Sequence, residues 1–232
     1  MKPIIYFFLK FCQEEEHARA FVAGRLHLNP LAYFKGLEQG ADDGRADRHE
    51  VPLAWYQPAK LGFIQFGPHR IDATELAGPL IMPNADADTM NILCLYAATS
   101  GPFETLSAAS LDAVREHLLV PDRCRSMGPF VVLVHDSRAF IKRFEAAVKR
   151  DHFGLQRGLV TYFDPDSFSG SVEHPAFMKK QEFAWQREYR FALDRNATEA
   201  KPYTLDLGPL DDICKILDAA TLNEPFTVAL PE

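Results

Sequence analysis

The chain is short of positive charge. Its 232 residues carry 25 Lys and Arg against 32 Asp and Glu, a formal net charge of -7. Nonspecific affinity for nucleic acid comes from cations meeting phosphates, so this balance excludes a protein that coats nucleic acid. The one basic cluster, Lys142, Arg143, Lys149 and Arg150, falls on an expected helix and reads as its solvated face. Cysteine is scarce too. Cys12, Cys94, Cys124 and Cys214 are far apart, no two have metal-ligand spacing, and nothing suggests a disulfide framework. Reduced thiols in the cytoplasm are the expectation, and no metal is expected. A Gly-rich phosphate loop, a Gly-x-Ser-x-Gly elbow and internal repeats are all missing. The apolar run from Met1 to Leu9 is far shorter than a membrane-spanning helix and lacks a small-residue cleavage site. It is expected as a buried first strand, with no membrane partner.

Hydrophobic residues make up 47% of the chain, and 18 of them are Phe, which implies an aromatic-rich core. Strands are expected at Ile4 to Cys12, Leu26 to Phe34, Leu61 to Phe66, Ile71 to Leu76, Asn91 to Ala97 and Phe130 to His135. Further strands are expected at Gly158 to Phe163, Tyr189 to Leu193, Tyr203 to Leu207 and Phe226 to Leu230. Helices are expected at Glu14 to Ala23, Ser110 to Leu119, Ser137 to Lys149 and Leu210 to Leu217. Strands outnumber helices and do not alternate with them, and no linker interrupts the chain. The fold class is therefore read as a single α+β domain, residues 1–232, with mixed or antiparallel central sheets and a few short helices.

The most informative stretch runs from Phe183 to Leu193. From Tyr189 it alternates as a half-buried strand, with Tyr189, Phe191 and Leu193 on one face. Glu188 stands where that strand begins, and Gln186 lies two residues earlier. Side chains two apart on an extended segment point the same way, so both can face one cleft. A carboxylate at a strand mouth suits stabilising a positive charge or orienting a sugar hydroxyl. The bland reading is a strand whose exposed face carries Gln, Glu and Arg. Elsewhere, His135-Asp136-Ser137 has the residue types of a hydrolytic triad, but sequence neighbours cannot form the relay, and Ser137 reads as a helix N-cap.

The Gln186-x-Glu188 step leading into a strand resembles the catalytic signature of ADP-ribosyltransferases. The phrase Gln186 to Arg190 is similar to one in small bacterial proteins related to DNA-targeting ADP-ribosyltransferase toxins. Leu26 to Phe34 and Lys10-Phe11 resemble phrases of that same group, in the same order. The resemblance implies an ADP-ribosyltransferase-like fold with NAD, as a substrate, in a cleft between two halves of the sheet. It implies Glu188 as the catalytic carboxylate and Gln186 as the residue positioning the acceptor. Lys10, Tyr33, Phe34, Arg45 and Arg190 would hold the dinucleotide, with Tyr33 or Phe34 stacking on nicotinamide and Arg45 near the pyrophosphate. The acceptor would be protein or nucleic acid, and the role that of a toxin or phage-defence effector. Where many transferases place Arg or His on the first strand, this chain offers Lys10. A non-catalytic binding or regulatory module on the same scaffold has the same pattern.

The segment Asp42 to Glu50 is a polar loop holding Asp42, Asp43, Asp47 and Glu50 with Arg45, Arg48 and His49. It is expected to border the same cleft as Glu188. Its carboxylates support a further reading, a metal-dependent nuclease, although an EF-hand register fails.

Overall fold

The structure, a computed structural model, describes residues 3–36, 52–103 and 110–224. Its centre is an eight-stranded, antiparallel sheet. The strands are β1 (Ile5–Cys12), β2 (Arg25–Pro30), β3 (Asn91–Thr99) and β4 (Phe130–Val134), then β5 (Gly154–Leu159), β6 (Glu188–Asp194), β7 (Tyr203–Asp206) and β8 (Cys214–Asp218). Among the described residues four α-helices accompany them: α1 (Glu15–Val22), α2 (Leu31–Gly36), α3 (Leu111–Leu118) and α4 (Ser137–Arg150). The fold is thus α+β with antiparallel sheets. Small ladders lie beside the sheet, including a parallel pair between Thr161–Phe163 and Met178–Lys180. Among the described residues no helix is long and apolar enough to cross a membrane.

The sheet forks at β3. One edge of β3 is paired with β6 from Asn91 to Tyr96, and β6 in turn pairs with β5. The other edge is shared by two strands that diverge. β2 pairs only with Asn91 and Ile92, whereas β1 pairs from Tyr96 to Thr99. Between them, among the described residues, Leu93, Cys94 and Leu95 have no strand partner on that edge. β2 carries β7 away on one branch, and β1 carries β4 and β8 on the other. A tight turn leads from α1 into β2. Gly24 sits there at φ +84, and a Cβ on it would lie 1.8 Å from the Gly208 carbonyl oxygen. Only glycine meets both demands.

The aromatic content expected from composition forms the largest core cluster. Phe8, Phe21, Phe140, Phe144 and Phe191 are buried together, where α1 and α4 pack on one face of the sheet. Phe144 stacks on Phe191 with ring centroids 4.1 Å apart. On β2 the alternation is clean: Leu26 and Leu28 enter this core, and Arg25 and His27 face away from it. On the opposite face of the sheet Leu9, Tyr96 and Val131 form a second cluster with Val114 and Leu118 of α3.

Several expectations are corrected; the strand expected from Ile71 to Leu76 ends at Asp72, and Ala73–Glu75 is a 3-10 turn capped by Asp72. Leu31 to Phe34 is helical, not extended. Leu31 is fully buried and Phe34 packs beside its cluster, which is the i, i+3 spacing of a helix face. The segment expected as a helix from Leu210 is a turn followed by β8, whose five residues all pair with β4. Full pairing there outweighs local propensity. The cap of α4 is Asp136, whose carboxylate accepts from the Ala139 N–H at 2.9 Å. Ser137 instead donates its hydroxyl to the Ile5 carbonyl at 3.0 Å. The basic cluster on α4 is partly paired: Arg143 bonds Asp212 and Arg150 bonds Asp151. The expected strand Phe226 to Leu230 lies outside the described residues.

Candidate functional site

The fork opens a cleft of about 770 Å³. Its walls come from β1, β2 and β3, and its floor carries Glu188, Arg190, Gln186 and Lys179. Of the residues singled out in the sequence, Lys10, Tyr33, Phe34, Gln186, Glu188 and Arg190 all line this one cleft. Arg45, with the whole Asp42 to Glu50 loop, lies outside the described residues, so the nuclease reading has no geometry here. Among the described residues no group of three or more His, Cys, Asp and Glu is placed to hold a metal.

β6 differs from the expected half-buried strand. Its outer face is buried as well, with Glu188 4% and Arg190 1% exposed. A buried charge is costly unless it is paired and hydrogen-bonded, and these charges are paired. Arg190 Nε donates to Glu188 Oε1 at 2.6 Å, and Lys179 Nζ donates to Glu188 Oε2 at 3.2 Å. Lys179 also donates to Gln186 Oε1 at 2.8 Å, and Arg190 NH1 to the Ala176 carbonyl at 2.7 Å. The Glu188 backbone N–H is taken by the Tyr162 hydroxyl at 2.9 Å. Burial by itself would raise the Glu188 pKa, but Arg190 and Lys179 beside it hold the carboxyl well below the usual range. The carboxylate is therefore ionised at neutral pH.

Gln186 and Glu188 meet for a different reason than two-residue spacing on a strand. Gln186 ends the 3-10 helix Gln181–Gln186, and Arg187 is left-handed at φ 41. That kink is anchored from both ends. The Arg187 carbonyl accepts from the Ala97 N–H at 2.9 Å, and its guanidinium donates to the Tyr96 hydroxyl at 3.0 Å and to the His117 carbonyl. The strain of a non-glycine left-handed residue is offset by these bonds. With the chain kinked there, both side chains reach Lys179.

Lys179 is the residue the sequence reading missed. It stands on the short strand Met178–Lys180, is 5% exposed, and joins the two candidate catalytic side chains. Its neighbours give no periodic signal, and only tertiary packing buries it. Lys10 crosses the fork, donating Nζ to the Cys94 carbonyl at 3.3 Å. That carbonyl lies on the stretch of β3 without a strand partner, so the ammonium replaces a ladder hydrogen bond. Tyr33 and Phe34 are in edge-to-face contact, centroids 5.2 Å apart, with Tyr33 41% exposed at the cleft mouth. Burial pushes the Cys94 thiol up, helped by the neighbouring Glu188 charge, so it is protonated and unreactive as a nucleophile.

Chemically, the cleft offers, among the described residues, one fixed carboxylate among several cations, with aromatic rings at its mouth. No family model matches this chain, and comparison with curated proteins and with solved structures finds no match either.

Proposed function

We propose that this chain is an NAD-dependent ADP-ribosyltransferase-like protein that works through Glu188. The observation that carries the reading is the meeting of Glu188 and Gln186 on the floor of a cleft opened by a fork in the sheet. A carboxylate on a convex surface would have ended it. NAD enters as substrate between the two branches. Glu188 hydrogen-bonds the nicotinamide ribose and stabilises the oxocarbenium-like charge that grows as nicotinamide leaves. A charge fixed before the transition state needs no reorganisation and acts where water is scarce. Lys179 and Arg190 keep the carboxylate ionised and aimed, and Lys179 holds Gln186 beside it to position the acceptor. Tyr33 or Phe34 stacks on nicotinamide, and Lys10 meets the phosphate portion. The acceptor is a protein or nucleic acid, in the manner of a toxin or phage-defence effector.

A second reading has its own observation. Both oxygens of Glu188 already have cationic partners, which is how a structural carboxylate is held. On that reading the chain is a binding or regulatory module whose cleft takes a ligand without turnover. Incubating the pure protein with labelled NAD and cell extract separates the two. The transferase reading requires label on a macromolecule and release of nicotinamide, both lost in Glu188→Gln. NAD left intact after prolonged incubation refutes it and leaves the binding module.

A further inference from the structure

The geometry points to an anion subsite on the open face of β2, built from Arg25 and His27, that takes phosphate groups of a nucleotide ligand. These residues lie apart from the Glu188 cluster, and none of the roles proposed above uses them. Both line the cleft and both are exposed. Their placement follows from the strand itself. Leu26 and Leu28 are fully buried, so Arg25, His27 and Asn29 are turned to the opposite face, into the cleft. Alternate residues on one face stand about 7 Å apart, a spacing that two linked phosphates can bridge. His27 is oriented by Asn29, with Nε2 3.1 Å from Oδ1. Opposite His27 in the β2–β7 register stands Thr204, which lines the same wall and adds a hydroxyl.

Charge selects the ligand class. Among the described residues, the cleft lining holds four Lys and Arg side chains, Lys10, Arg25, Lys179 and Arg190, against one carboxylate, Glu188. Glu188 is already matched by Lys179 and Arg190. Lys10 is bonded to a neutral carbonyl, and Arg25 forms no ion pair within the described residues. The acid nearest in register, Asp206 opposite Arg25, turns its carboxylate to the Gly208 N–H at 2.8 Å. The cleft is therefore positive within a chain of net charge -7. An anionic ligand is drawn to it, and the guanidinium is suited to phosphate oxygens. That the phosphates belong to a nucleotide rests on the transferase reading. The positive rim does not.

Calorimetric titration with ADP and with adenosine tests the subsite, using the wild-type chain and Arg25→Thr/His27→Thr. Threonine suits an exposed strand position, so the fold is retained. ADP is expected to bind wild type more tightly than adenosine, and to lose affinity roughly tenfold or more in the variant. Adenosine affinity stays the same. ADP binding that is absent, no tighter than adenosine, or unchanged in the variant overturns the subsite. NAD consumption separates the two ideas. Wild type that binds ADP through Arg25 and His27 but leaves NAD intact sinks the transferase reading and keeps the subsite. NAD turnover with KM unaltered in the variant does the reverse.

Discussion

Replacing Glu188 by Gln should cost stability as well as any activity. The swap keeps the shape and one acceptor but removes the charge that both Arg190, at 2.6 Å, and Lys179, at 3.2 Å, are bonded to. Side-chain exposures of 1% for Arg190 and 6% for Lys179 give neither cation water to turn to. Removing one partner of a buried ion pair costs about 3–5 kcal/mol, and the retained acceptor places Gln near the lower end. For a chain of this size each kcal/mol moves the melting temperature by about 2–4 °C, so a fall of roughly 6–12 °C is expected. The pH dependence follows from the lowered pKa. The unfolded carboxyl binds a proton near its ordinary value of 4.5, while the folded one binds it only at lower pH. Stability from this group is therefore complete above about pH 4.5 and is lost as pH falls from there toward the folded pKa. The assay is calorimetric melting of both proteins at pH 7 and again at stepwise lower pH. The gap between wild type and Glu188→Gln should narrow on acidification. Equal melting temperatures at pH 7, or a gap that widens in acid, would refute the buried pairing as the source of stability.

Two further outcomes follow. Gly24→Ala should lower the melting temperature by several degrees. Its Cβ would meet the Gly208 carbonyl 1.8 Å away at a φ of +84, and a melt within a degree of wild type would show that the turn can reshape. Cys124 and Cys214 are buried and their thiols are pushed up to about 12, chiefly by burial, so a disulfide-exchange reagent at pH 8 should label them only after unfolding. Rapid labelling of the native protein at these positions would contradict that environment.

Much of the sheet was legible because its strands carry strong local patterns. Val131 to Val134 and Asn91 to Ala97 are apolar runs suited to strands covered on both faces, and both are central strands. The helix α4 showed its stripe through Phe140, Phe144 and Val148, all buried. What failed were segments whose conformation depends on a distant partner. Cys214 to Asp218 becomes a strand because β4 offers an open edge, and Pro52–Tyr56 pairs with Leu80–Pro83 without a clear alternation in either. The site divides the same way. Glu188 and Gln186 were visible as a motif, but their meeting depends on a left-handed Arg187 held by Tyr96 and His117. Lys179 has no local signal at all, since its importance lies in a chain reversal that brings it back onto the motif.

The charges in the cleft are arranged unequally, and that asymmetry bears on how a dinucleotide would lie. The trunk of the fork, β3 with β6, supplies the carboxylate. The branch that departs with β2 supplies Arg25 and His27. NAD is itself asymmetric, with a cationic nicotinamide ring at one end and an anionic pyrophosphate further along. On the proposed reading the ring lies toward Glu188 and the phosphates toward β2, which places each charge against its opposite. The reverse orientation would set the cationic ring against the basic residues of β2, where like charges repel. The fork that interrupts the hydrogen-bond ladder of β3 at Leu93 to Leu95 opens the cleft, and on the proposed reading it puts the carboxylate and the basic branch on different walls of it.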